Sequence, residues 1–186
     1  MQTEILDHEY RWAAIKHAAM TTVGKEGGRY PSPSWRRSIL LAEHSPIRRL
    51  RVAWRWTDLP YWVSVHMVRH KIGIEHWVRT QRSDRTGVPR DQLPQGALVE
   101  HECEANAQAM INISRKRLCS MAAPETRQAW QAVKDEVAKV EPELASVMVR
   151  ECVYRGFCPE MHSCGYAKTE AYKAELAACR GGADEK

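Results

Sequence analysis

One short stretch with strict alternation constrains the fold more than any other part of the chain. In RRLRVAWRW, residues 48–56, apolar side chains recur at every second position, at Leu50, Val52, Trp54 and Trp56. Successive strand residues point to opposite faces of a sheet, so this period predicts a half-buried β-strand. A strand needs a partner, and residues 97–101 are the second candidate strand.

Helical patterns account for most of the remaining sequence. The predicted helices cover residues 8–20, 33 or 34 to 43, about 60–72, 105–121 and 125–140, with Pro142 interrupting or restarting the last one. In the third helix, Asp58 is the expected cap and Pro60 the first-turn residue. Its expected apolar stripe consists of Tyr61, Val65, Val68 and Ile72. We therefore predict an α+β fold with a helix majority and a small antiparallel sheet.

The length and composition favour a single compact domain. The 186 residues are 44% hydrophobic, which suits one core, and residues 166–186 are expected to form a C-terminal helix or tail that frays from Gly181 onward. The chain has no apolar run of about 18 residues and no signal-like start, so we expect a soluble cytoplasmic protein without a membrane span.

The cysteines raise the question of a metal site. Zinc is a chemical option at the C-terminal cysteines because their spacing is regular and a histidine lies among them. The candidate ligands are Cys152, Cys158, His162 and Cys164. Their spacing matches no CxxC knuckle, and free cysteines are usually buried thiols. We therefore predict no metal site.

Positive charge is concentrated in one part of the chain. Residues 29–90 contain thirteen Lys and Arg against four Asp and Glu, a net charge of +9, whereas the whole chain carries +5. Within MVRHKIGIEHWVRTQRSDR, residues 67–85, the pattern indicates a polar helix face followed by an arginine-bearing loop. Guanidinium groups pair well with phosphate oxygens, so a phosphate-bearing ligand is one interpretation. A solvated basic face is the other.

Several separated motifs occur in the same order as in a known family. They are EHSP at 43–46, VRHK at 68–71, TQRS at 80–83, NAQAMINISRKRLCSMAAPETR at 106–127 and CVYRGFCPEMHSCG at 152–165. Together they resemble the flavin-dependent thymidylate synthases, in which an Arg-His-Arg triplet at a helix end precedes a Ser-x-Arg-Tyr element. The resemblance implies the fold of the thymidylate-synthase-complementing proteins and a homotetramer with FAD bound between subunits.

The resemblance also implies an activity and site residues. The reaction would methylate dUMP to dTMP, with methylenetetrahydrofolate and NADPH as co-substrates. The residues expected at the flavin are Ser45, Arg69, His70, Lys71, Asn106 and Asn112. Those expected at the nucleotide are His66, Gln81, Arg82 and Arg117, with Arg117 and Thr80 assigned to catalysis. We expect the cationic segment near residue 70 and the helix near residue 112 to converge from neighbouring chains.

The sequence departs from the family pattern at several of these positions. Lys71 replaces the second arginine of the triplet, and Thr80 and Ser83 replace its usual Ser and Tyr. A long helical stretch before Val88 is absent, and with it any clear equivalent of the arginine that holds the substrate phosphate. Two other classes therefore stay open: a nucleic-acid-binding protein that uses the basic segment and its tryptophans, and a structural module.

Overall fold

The computed structural model describes residues 1–181, and within them four strands form one antiparallel sheet. The strands are β1 (Gln2–His8), β2 (Arg51–Pro60), β3 (Ile74–Val78) and β4 (Leu98–Asn106). Their order across the sheet is β1-β2-β4-β3, so β2 and β4 are central and the other two form the edges. The predicted α+β class with a small antiparallel sheet is confirmed.

Helices contain more of these residues than strands do. They are α1 (Trp12–Thr21), α2 (Pro33–Leu41), α3 (Tyr61–Met67), α4 (Ser83–Thr86), α5 (Ala107–Arg117), α6 (Pro124–Val140), α7 (Pro142–Val147), α8 (Glu151–Arg155) and α9 (Glu170–Arg180). A 3₁₀ turn, Ser45–Arg49, leads into β2. No helix in residues 1–181 has the length and apolarity to cross a membrane. The part of the predicted frayed tail that follows Gly181 lies outside the described residues.

Three tryptophans form the centre of the core, and two of them lie on the face of β2 that its alternation predicts to be buried. Trp54 and Trp56 are fully buried on one face of β2, and Trp130 of α6 packs against both. The ring centroids of Trp54 and Trp130 lie 5.6 Å apart in an edge-to-face arrangement, which suits the charge distribution of aromatic rings. The indole of Trp130 donates to Ser114 Oγ at 2.8 Å, which fixes α5 relative to α6.

The opposite face of the central strands is polar. Arg51 and Arg55 of β2 donate to Glu104 and Glu102 of β4 at 2.8 and 3.2 Å. Cross-strand pairs of opposite charge support the register that also buries the tryptophans. The alternation in residues 48–56 is thus resolved into an apolar inner face and an ion-paired outer face.

The structure corrects the prediction of one long helix over residues 60–72. β2 continues through a register shift between Trp56 and Leu59, with Asp58 at a φ of 58°, so Asp58 is part of the strand and does not cap a helix. The helix that follows ends at Met67, and its buried residues are Val63, Ser64 and Met67. The expected apolar stripe is wrong: Ile72 lies beyond the helix and is 90% exposed.

Three further boundaries differ from the prediction. The first helix begins at Trp12, because residues 2–8 form β1. The candidate strand at 97–101 extends to Asn106, so the next helix begins at Ala107 and ends at Arg117, not at residue 121. Pairing of Ala105 with Val52 keeps this segment in the sheet. β3 was not predicted either, since only Ile74 of its five residues is buried.

A buried carboxyl group connects the N-terminal helix to the core. Trp12 Nε1 donates to Glu141 Oε2 at 2.9 Å, while Glu141 Oε1 is buried without a hydrogen-bond partner within residues 1–181. Burial raises the pKa of Glu141 to about 7, although the bond from Trp12 works in the opposite direction. The neighbouring carboxyl group of Glu143 also raises this pKa.

This carboxyl group makes stability depend on pH. Its folded-state pKa lies above the unfolded value, so its stabilising effect is complete below about pH 4.5 and is lost as pH rises through about 7. We expect the free energy of unfolding of Glu141→Gln, relative to the wild type, to rise by about 2–3 kcal/mol between about pH 5 and about pH 8. Urea unfolding at both pH values measures this. For Glu170→Gln, an exposed control, the unfolding free energy relative to the wild type should stay nearly constant between these pH values. An equal pH dependence in both variants would contradict the raised pKa of Glu141.

Candidate functional site

The turn after α3 and the helix α5 converge on a cleft of about 300 Å³. Its lining consists of Arg69, His70, Lys71, Ile72, Ala109, Asn112 and Ile113. The cationic segment near residue 70 and the amide-bearing helix near residue 112 therefore meet within one chain. The expectation that this pairing needs a neighbouring chain is corrected, because both walls come from the same copy.

A glycine allows the turn to approach α5 closely. Gly73 has a φ of 74°, and a Cβ atom at this position would lie 2.5 Å from Asn106 Nδ2. The Asn106 N–H donates to the Gly73 carbonyl at 2.9 Å. The left-handed conformation and the close contact both favour glycine at this position. The turn from Val68 to Gly73 is thereby held against the first turn of α5.

Asn106 is a capping residue in this structure. Its Oδ1 accepts from the Ala109 N–H at 2.9 Å, and its backbone is extended, so it precedes α5 and satisfies one of the free N–H groups of the first turn. The predicted helix over residues 105–121 included Asn106, and this is wrong, because Asn106 is the last residue of β4. Its Nδ2 remains beside Gly73 at the edge of the cleft.

Arg117 connects the end of α5 to the turn. Its Nε donates to His70 Nε2 at 2.8 Å, and one terminal nitrogen donates to the His66 carbonyl at 2.7 Å. Burial lowers the pKa of His70, and together with the positive charge of Arg117 it brings the value to about 4. His70 is therefore neutral near pH 7 and accepts through Nε2 while Nδ1 carries its proton. The assigned catalytic residue Arg117 is thus a half-buried cation behind the cleft.

His66 points toward α6. Its Nδ1 lies 3.0 Å from the hydroxyl oxygen of Thr126, a fully buried residue. Burial lowers the pKa of His66, and the positive charges of Arg117 and Arg69 lower it as well. Three basic side chains, those of His66, Arg69 and Arg117, are thus grouped at the end of α3. They give this side of the cleft a positive electrostatic character.

Other expected site residues lie away from this cleft. Arg82 follows β3 and holds Asp84 with two hydrogen bonds, at 3.0 and 2.8 Å, while its N–H donates to the Thr80 hydroxyl at 3.2 Å. Gln81 lies between them, and Ser45, which is exposed, begins the 3₁₀ turn. The structure therefore brings together Arg69, His70, Lys71 and Asn112, with Asn106, His66 and Arg117 around them. It does not bring Thr80, Gln81, Arg82 or Ser45 to the same lining.

The C-terminal cysteines do not form a metal-binding group in the described part of the chain. Cys152, Cys158 and Cys164 line a small apolar cavity with Cys119, but they and His162 are not among residues whose ligand atoms gather within 4.8 Å. The sequence analysis overlooked a different group, His76, His101 and Cys103, in which these atoms do gather. The i, i+2 spacing of His101 and Cys103 was an available signal, but the partner strand β3 was not predicted.

Comparison with known proteins identifies the fold. Neither a family model nor a curated relative matches the sequence. Among solved structures, the UMP/dUMP methylase PolB from Streptomyces cacaoi, bound with 5-Br dUMP, matches with a TM-score of 0.64 at 14% sequence identity. The match covers 84% of this chain and 95% of PolB.

Two structures of the flavin-dependent thymidylate synthase ThyX from Helicobacter pylori, each with FAD and dUMP, also match. Their TM-scores are 0.64 and 0.59, at 11% and 12% identity, over 81% and 80% of this chain and 100% and 97% of ThyX. The fold is that of the flavin-dependent thymidylate synthases. In this thymidylate synthase fold, the cleft between the residue 69–72 turn and α5 is the candidate site.

The contact between Gly73 and Asn106 leads to a stability prediction with a matched control. Gly73→Ala and Gly87→Ala both place a side chain at a φ above 70°, but only the former meets another group, because Gly87 has nothing within 4 Å. We expect Gly87→Ala to lower the free energy of unfolding by about 1 kcal/mol. Gly73→Ala should cost about 1–2 kcal/mol more, since the Asn106 cap must shift.

Urea unfolding of the two variants measures this difference. Amide hydrogen exchange provides a local readout, because the Ala109 N–H, which Asn106 caps, should exchange faster in Gly73→Ala alone. Equal unfolding free energies for the two variants, with unchanged exchange at Ala109, would show that the contact does not constrain the turn.

Proposed function

We propose that this chain binds FAD and methylates a pyrimidine deoxynucleotide, converting dUMP to dTMP with methylenetetrahydrofolate as carbon donor and NADPH as reductant. One observation carries the proposal: a cationic turn and an amide-bearing helix form one cleft in a fold whose Helicobacter pylori representatives were solved with FAD and dUMP. The sequence motifs that resemble the family include every residue of this lining except Ile72.

The lining suits the chemical groups of a flavin dinucleotide. Arg69 and Lys71 provide positive charge for the two phosphates, and charge-assisted hydrogen bonds to phosphate are among the strongest available in proteins. Neutral His70 and the Asn112 amide offer a donor and an acceptor for ring atoms.

The cleft is open on one side, which agrees with an assembly in which a second copy covers the ligand. Ile72 on its lining is 90% exposed, so its apolar side chain is available to a covering surface. The nucleotide-site candidates Thr80, Gln81 and Arg82 lie outside this lining. We therefore infer that they serve the cleft of another copy in the expected homotetramer.

When bound, the flavin supplies the electron-transfer chemistry of the methylation, and the residues of the chain bind and orient the reactants. Arg117 holds the His70 ring and the end of α3 in place. It therefore contributes to catalysis by positioning these groups. Arg82 exchanges its two hydrogen bonds to Asp84 for the substrate phosphate, a bidentate acceptor of the same kind.

The outer face of the sheet argues against the nucleic-acid alternative. Trp77 is 53% exposed there, but Glu100 and Glu102 surround it together with Arg55 and Arg79. Since Arg51 and Arg55 already pair with carboxylates of β4, this face offers little unpaired positive charge to a phosphate backbone. Two of the cations of residues 29–90, Arg69 and Lys71, line the cleft instead.

Flavin binding is the first test. Titration of the purified full chain with FAD, followed by flavin fluorescence and absorbance, should give saturable binding. Lys71→Met should weaken the affinity about tenfold, because one charge-assisted contact to phosphate is lost. Arg85→Met, which removes an exposed arginine outside the lining, should change the affinity by less than about twofold. Absence of FAD binding, or equal loss in both variants, overturns the cofactor assignment.

Methylation is the second test. The FAD-loaded chain, with methylenetetrahydrofolate and NADPH, is incubated with dUMP or UMP and the products are identified by mass spectrometry. We expect dTMP from dUMP. Methylated UMP alone would assign the ribonucleotide instead, and no methylated product with FAD bound would overturn the reaction while leaving cofactor binding intact.

A further inference from the structure

Three potential metal ligands meet on the inner face of the sheet, beneath the candidate cleft. His76 of β3 is paired in register with Cys103 of β4, and His101 lies two residues before Cys103 on the same face. The His76 Nδ1 to His101 Nε2 distance is 3.0 Å, and Cys103 Sγ lies 3.2 Å from each of these nitrogens. His101 and Cys103 are fully buried.

Hydrogen bonds alone do not satisfy this arrangement. His76 Nε2 lies 2.8 Å from the His70 carbonyl oxygen, which only accepts, so Nε2 carries the proton and Nδ1 presents a lone pair to the group. Two protons remain for three contacts: that of the Cys103 thiol and, in one tautomer, that of His101 Nε2. Both can be directed at His76 Nδ1, and the contact between Cys103 and His101 is then left without a proton.

We propose that His76, His101 and Cys103 form a binding site for a thiophilic closed-shell cation, Zn²⁺ or Cu⁺. The cation is bound by His76 Nδ1, His101 Nε2 and Cys103 Sγ. Thiolate and imidazole are the ligands that both ions prefer. Binding releases the thiol proton to solvent and places the His101 proton on Nδ1, so each of the three ligand atoms offers a lone pair.

The geometry is close to that of a three-ligand face of a tetrahedron. Zinc bonds of about 2.0–2.3 Å hold their ligand atoms about 3.3–3.6 Å apart, so the three contacts of 3.0–3.2 Å need to open by only a few tenths of an ångström. The orientation of one ligand is already set, because the His70 carbonyl accepts from His76 Nε2 and so holds the His76 ring. A carbonyl acceptor on the second nitrogen is a common device in histidine metal sites.

Burial restricts the charge that the site can hold. A buried net charge is costly, so the cation and its ligands should sum to zero. One thiolate neutralises Cu⁺ in a three-coordinate site. Zn²⁺ reaches the same balance only when an anionic fourth ligand, such as hydroxide, occupies the open position. The two ions thus differ in coordination number at one ligand set.

The site has a physical connection to the cleft. His76 bonds to the backbone of His70, and the His70 ring accepts from Arg117. A cation that fixes the His76 ring therefore also fixes the turn that contributes Arg69 and Lys71 to the cleft lining. This is a positioning role, and metal binding itself does not depend on the proposed flavin chemistry.

Metal analysis of the tag-free full chain tests the proposal. The chain is equilibrated with Zn²⁺, or with Cu⁺ under anaerobic reducing conditions, and freed of excess ion before its metal content is measured. We expect about one ion per chain for at least one of the two metals, and less than about a tenth of that in Cys103→Ala. Cys179→Ala, which removes a buried cysteine outside the group, should bind as the wild type does.

X-ray absorption at the metal edge of the wild-type chain provides a second readout that needs no variant, in case Cys103→Ala does not fold. The expected shell has two nitrogen ligands and one sulfur ligand, with a fourth light atom for zinc only. Three outcomes overturn the proposal: no retained metal, retention by folded Cys103→Ala equal to the wild type, or a shell with two or more sulfur ligands, which would assign the ion to other cysteines. FAD titration of the metal-free chain separates this result from that of the proposed function.

Discussion

The candidate cleft depends on one junction, at which Asn106 ends β4, caps α5 and lies against Gly73. Its N–H donates to the Gly73 carbonyl, its side chain satisfies the Ala109 N–H, and the next N–H, of Ala107, donates to the Leu50 carbonyl at 2.9 Å. A change from strand to helix exposes backbone groups that need partners. Here those partners come from the residue 68–73 turn and from the chain just before β2, so the cleft walls are held by backbone bonds.

Behind this junction, polar side chains form a continuous layer between the cleft and the tryptophan core. Arg117 donates to the His70 ring, and His76 donates to the His70 carbonyl. The other ring nitrogen of His76 lies beside His101 and Cys103. Buried polar groups stabilise a structure only when their hydrogen bonds are satisfied, so such a layer is rigid where it is complete. Within residues 1–181, this layer is incomplete at the His76, His101 and Cys103 group, which is the place of the proposed cation.

Local patterns predicted much of the fold. The alternation of residues 48–56 marks β2, α2 begins at the predicted Pro33, and Pro142 restarts a helix immediately after α6. The edge strands were missed because they bury few side chains: only Ile74 is buried in β3, and no residue of β1 is fully buried. Their strand structure comes from pairing with β2 and β4, a contact between distant residues that no local pattern contains.

The sequence by itself determined the residue chemistry of this protein: the inner apolar and outer charged faces of β2, the basic segment of residues 29–90, and the order of motifs that resemble one family. Only the tertiary structure decided which of these residues share a site. Arg69 and Asn112 meet in one chain, and His76 faces Cys103, because sheet register and the turn at Gly73 set distances between residues far apart in sequence. Register depends on the burial of whole faces at once, so it emerges only when the core forms.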